Sequence, residues 1–153
     1  MNGMAQVDAD YLGRVFTGTP PYVVSEIKLA EFADAVGATS PLHTDPEAAR
    51  ARGYRHVIAP ATFAVVVAQR AEAEYISDPG AGIDFSRVVH AEQAFDHHRP
   101  ITAGDRLHTA VQVAGITERA GITMVTTRTE IADDDGEPVC AVTSTLAVRG
   151  EGR

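Results

Sequence analysis

The sequence predicts an α+β fold in which a curved antiparallel sheet wraps around one long, nearly all-apolar helix. Three observations predict it. Helix start and stop signals fill the first half, and strand-like apolar runs separated by turn signals fill the second. Between them, residues 62–76 open so apolar that such a helix must be enclosed by other structure.

In chain order, residues 1–15 carry Asp8 and Asp10 and lack an apolar stretch of signal-peptide length. Residues 17–22 (TGTPPY) read as an extended loop, because paired prolines block helix and remove backbone donors. Ser25 is a plausible N-cap for a helix over 26–36, with Leu29, Phe32, Ala33 and Val36 on one apolar face and Gly37 ending it. A second short helix is expected at 47–52, capped by Thr44 or Asp45, with Pro46 in its first turn and Gly53 closing it. Residues 62–76 would also suit a strand by propensity, but Ala71, Glu72, Ala73 and Glu74 continue the segment with good helix formers. From Ser86 onward the apolar positions (Val111, Val113, Met124, Val125, Val139, Val142, Leu146, Val148) fall in runs. Ala120-Gly121 and Asp135-Gly136 are the expected hairpin tips.

At 153 residues the chain fits one domain, with a core expected at about 22–148 and looser ends. A formal charge of −8 argues against nucleic acid as a partner. The most apolar run, 57–68, is too short to span a bilayer. The lone Cys140 has no internal partner for a disulfide, which fits a cytoplasmic protein, and its apolar strand suggests a packed thiol. No Gly-rich nucleotide loop follows a strand, so no cofactor is expected. His90, Glu92, His97 and His98 lack zinc-site spacing, and on a strand His97 and His98 would face opposite sides, so no metal is expected either.

Three segments carry a family likeness: FADAVGATSPLH (32–43), HVIAPATF (56–63) and VHAEQAFDHHRPITAGDRL (89–107). In this order they resemble the MaoC-like hydratase/dehydratase family, whose hot-dog fold holds a long helix in a bent antiparallel sheet. Within it the chain is most similar to the small actinobacterial-type subunits, with a FAS1-like dehydratase domain, of heterodimeric 3-hydroxyacyl-ACP dehydratases in type II fatty-acid synthesis. The resemblance implies a dimer with active sites at its interface, an acyl-ACP or acyl-CoA thioester as substrate, and a second MaoC-like subunit or a second copy as partner.

Dehydrating such a thioester requires a base for the α proton, a proton for the leaving hydroxyl, and donors on the thioester carbonyl. The family's histidine falls on His43, but its aspartate position holds Ala38 and its asparagine position Ser40. Alanine transfers no proton, and losing a general acid or base costs on the order of 10²–10⁴ in rate. Three readings follow. The chain shapes the substrate while a second subunit supplies an intact pair; or His43 works alone with Ser40, Asp45 or a water; or the chain only binds. Backbone N–H groups of Ala59, Ala61 and Thr62 are the expected carbonyl donors, with Arg99 a second choice for a phosphate contact. Asp45 suits a cap better than a catalyst. Hot-dog thioesterases share the fold and depend on a carboxylate near the central helix. Residues 57–69 contain none, although Glu72 and Glu74 lie further along.

Overall fold

A computed structural model describes residues 6–150. Its order is β1 (Val15–Phe16), β2 (Tyr22–Val23), α1 (Glu26–Val36), α2 (Pro46–Ala51), α3 (Ala64–Ile76), β3 (Val88–His97), β4 (Arg106–Arg119), β5 (Ile122–Ala132) and β6 (Pro138–Arg149). The strands form a six-stranded antiparallel sheet in the order β1-β4-β5-β6-β3, with β2 also paired to β4.

Local side-chain chemistry sets the helix ends as expected. Ser25 accepts the Lys28 N–H at 3.1 Å, and Gly37 closes α1 at φ 72°. The cap of α2 is Asp45, not Thr44: its carboxylate accepts the Glu47 N–H at 3.0 Å. The expected hairpin at Ala120-Gly121 has both residues at positive φ (53° and 78°), the type I′ geometry whose twist matches the strands it joins. Asp133 shapes the other tip, its Oδ1 accepting the N–H groups of Asp135 and Glu137 at 3.0 Å each.

The segment at 62–76 is a helix, starting at Ala64, and it packs on the inner face of β4, β5 and β6. Phe63, Val67 and Ala68 meet Leu107, Ile131 and Val142 in the main core. Burial on one side only explains why β4, β5 and β6 alternate buried and accessible residues along much of their length. Cys140 is fully buried, and burial pushes its thiol up to about 11, so it is a packing residue.

The packed core starts earlier than the expected boundary near Tyr22. Tyr11 is buried against Tyr75 and Phe16, with ring centroids 5.9 and 6.4 Å away, and β1 joins the sheet edge. The aromatic rings are widely spaced in sequence, so no periodic pattern announces this cluster. The expected looseness of the extreme termini falls at 1–5 and 151–153, outside the described residues. Among the described residues no helix is long and apolar enough to cross a membrane.

Candidate active site

His43 ends a short 3-10 turn, Pro41–His43, that follows α1. Ser40 caps this turn by accepting the Leu42 N–H at 3.3 Å. The turn is stitched to the segment before α3: Ile58 N–H donates to Leu42 O at 2.9 Å, and His43 Nδ1 lies 2.7 Å from Ile58 O. A carbonyl only accepts, so Nδ1 carries the proton and the neutral ring keeps its free lone pair on Nε2. That is the tautomer a base requires.

The same segment binds on its other side to the corner after β3. Ala59 N–H donates to Ile101 O at 2.7 Å, and Ala103 N–H to Val57 O at 3.0 Å. Asp105 braces the corner. It is 5% exposed, and its carboxylate accepts from Arg99 at 2.8 and 3.2 Å, from Arg55 at 3.1 Å and from the Thr102 N–H at 2.8 Å. Its hydrogen bonds to Asp105 hold the Arg99 guanidinium above its ordinary pKa.

Between these pieces lies a cleft of about 570 Å³, lined by His43, Ala59, Ala61, His97, His98 and Arg99 among others. Of the expected carbonyl donors, Ala59 is ruled out, because its N–H is spent on Ile101. The N–H groups of Ala61 and Thr62 have no acceptor among the described residues, and α3 has no side-chain cap. They lie in the turn that leads into α3, two residues and one residue before its N-cap Phe63, although Thr62 itself does not line the cleft. Arg99 lines it, yet its guanidinium is engaged by Asp105 and by Asp133 at 3.4 Å. Ser40 and Asp45 are occupied as caps and do not line the cleft. Ala38 is half-buried directly after α1, its N–H held by Ala33 O at 2.8 Å.

Sequence reasoning set His97 and His98 on opposite faces of a strand, but both line this cleft. β3 ends at His97, so alternation stops there. His97 stacks on Phe95 (centroids 5.9 Å apart, planes at 12°) and its Nε2 donates to Ala61 O at 2.7 Å. The Arg99-Pro100 corner was the available signal that the strand had ended. Among the described residues no group of three or more His, Cys, Asp or Glu is placed to hold a metal ion.

Residues 10–142 match the family described as FAS1-like, dehydratase domain region. The chain belongs to that family. Relatives include the UPF0336 protein of Saccharopolyspora erythraea, 52% identical over 94% of this chain and 92% of its own length. The UPF0336 protein of Clavibacter michiganensis is 46% identical, over 95% of this chain and 97% of its own. Among solved structures, a chain of the truncated HadBC (3R-hydroxyacyl-ACP dehydratase) complex from Mycobacterium tuberculosis superposes with a TM-score of 0.83. It is 31% identical, covering 91% of this chain and 98% of that one. A MaoC-like dehydratase superposes at 0.84 with 32% identity, covering 92% of this chain and 42% of that longer one. The FAS1-like dehydratase fold seen here is therefore a hot-dog fold.

Proposed function

We propose that this chain is one subunit of a (3R)-hydroxyacyl-thioester dehydratase, or enoyl hydratase, pairing with a MaoC-like chain that carries a complete Asp/His pair. The hot-dog dehydratase family supports the reaction class. The observation that carries the assignment to this site is the imidazole of His43: its tautomer is set by Ile58 O, it lines the cleft, and unpaired N–H groups lie at the adjoining helix start.

In this reading Nε2 of His43 faces the α proton, while the Ala61 and Thr62 N–H groups receive the charge that builds on the thioester oxygen. Ala38 leaves the second proton carrier to the partner chain. The open edge of β3 favours such a partner, since among the described residues β3 pairs only with β6. So do Gln69, Arg70 and Ala73, the exposed residues of a central helix whose others are buried or half-buried. The HadBC complex is a precedent for two unlike chains. The carrier, acyl-carrier protein or coenzyme A, would approach this exposed side.

A second reading is favoured by His97, whose ring shares the cleft with His43: the homodimer turns over by itself, with His97 in place of the missing carboxylate. Hydration of crotonyl-CoA decides between them. A subunit shows little activity alone and gains it on mixing with its cognate chain. Activity of the purified chain alone, lost in both His43→Ala and His97→Ala, overturns the subunit reading. No hydration in either preparation overturns both.

A further inference from the structure

A larger cavity, about 860 Å³, lies at the opposite end of α3, between its last two turns, the segment 77–85 and the start of β3. Its walls are mainly apolar, with Ile76, Ile83, Phe85, Val88 and Leu146. Glu72 also lines it, although only 3% of that residue is exposed. Glu72 Oε1 accepts hydrogen bonds from Ser144 Oγ at 2.8 Å and Thr127 Oγ1 at 3.1 Å, both fully buried. Its Oε2 has no partner among the described residues. The other carboxylates around the cavity are committed: Asp78 caps the Gly80 N–H, and Asp84 binds Ser86 and Arg87.

Oε2 is not among the buried unpartnered atoms of the described residues, so it opens on the cavity, and a ligand that displaces water from it must bring a donor of its own. An anionic ligand would meet Glu72, Asp78 and Asp84, and a purely hydrocarbon ligand would strand Oε2 out of water. The ligand that satisfies both the walls and the oxygen has an apolar stem and a hydroxyl at its tip.

Ala61, in the His43 cleft, lies in the turn before α3, and Gln69, in this cavity, lies on the helix eight residues later, about 12 Å away at the helical rise per residue. Resting on the dehydratase reading above, we propose that the cavity receives the far end of the acyl chain. Glu72 makes it select a chain carrying a hydroxyl there over a plain hydrocarbon chain.

Two measurements test this. The first needs no catalysis: calorimetric binding to the purified protein of 1-octanol and of methyl heptyl ether, its isomer without a hydroxyl. The alcohol should bind on the order of tenfold more tightly, as expected for one added hydrogen bond. Glu72→Leu should reverse the order, and Glu72→Gln, which keeps the shape, should narrow it. Equal or tighter binding of the ether to the unaltered protein overturns the proposal. So does an unchanged ratio in a folded Glu72 variant, which would leave the carboxylate a purely structural tie between α3 and the sheet.

The second is hydration by the active assembly of dodec-2-enoyl-CoA against its 12-hydroxy analogue, with crotonyl-CoA as a control too short to reach the cavity. The hydroxylated chain should be preferred, and Glu72→Leu should erase that preference. Crotonyl-CoA turnover with no preference between the long chains overturns the selectivity. No turnover of crotonyl-CoA counts against the dehydratase reading instead, and the preference for the alcohol over the ether then stands or falls on the binding data.

Discussion

At the amino-terminal end of α3 the polar groups facing the cleft are backbone N–H groups and imidazoles fixed by backbone carbonyls. At its carboxy-terminal end the polar group is a carboxylate fixed by hydroxyls from two strands. The first arrangement leaves donors and a lone pair free where charge would build during a reaction, so it suits chemistry. The second holds a carboxyl oxygen open to a mainly apolar cavity, so it suits recognition. One helix thus offers two unlike environments, because the turn that leads into it, at Ala61 and Thr62, is exposed and the helix has no side-chain cap, while its third turn is pressed against the sheet.

Substitutions that act on one end and spare the other sharpen this contrast. The largest effect is expected from Ala38→Asp. Restoring the carboxylate five residues before His43 should raise crotonyl-CoA hydration by the isolated chain, by up to on the order of 10²–10⁴. No gain in a correctly folded variant counts against His43 lying in a usable site. Asp105→Asn comes next. It leaves Arg99 facing a neutral partner and loosens the corner beside the His43 cleft. The expected loss is about 3 kcal/mol in urea unfolding, at the low end for a buried pair because Arg99 keeps about a third of its side chain exposed.

Ser144→Ala probes the other end. Removing one of two hydroxyls on Glu72 should cost about 1–3 kcal/mol, while hydration of crotonyl-CoA stays unchanged. A fall in that rate would show that the two ends are not independent.

The smallest effect is confined to alkaline pH. Burial raises Cys140 from 9.0 to about 11 and Tyr75 from 10.0 to about 12, so the folded chain holds both protons more tightly than the unfolded chain. Their contribution is complete below pH 9 and declines as pH rises toward the folded values. Denaturant midpoints measured from pH 8 to 11 should fall over this range, and Cys140→Ala should remove part of the slope.

The legibility of the chain divides along a physical line. The cap at Ser25 and the hairpin tip at Ala120-Gly121 could be read directly, because each is set within a few residues; the choice of Asp45 over Thr44 and the type I′ geometry came from the structure. The enclosed helix was legible too, from the apolar run Phe63 to Ala68. The role proposed for His43 came from family likeness, and its tautomer came only from Ile58, fifteen residues away in sequence. His97 was misjudged by strand alternation, which holds inside a strand and fails where the strand stops.

The sequence by itself determined the α+β class, the placement of the central helix and both hairpins, because periodicity and turn chemistry are local properties. Only the tertiary structure decided that Ala59 is unavailable as a donor, that His97 shares the cleft, and that Glu72 faces a cavity with one oxygen unpaired. Each of those depends on which groups meet across 36 to 72 residues of chain. Hydrogen bonds and burial over such separations are set by sheet register and helix docking, and no local pattern encodes them.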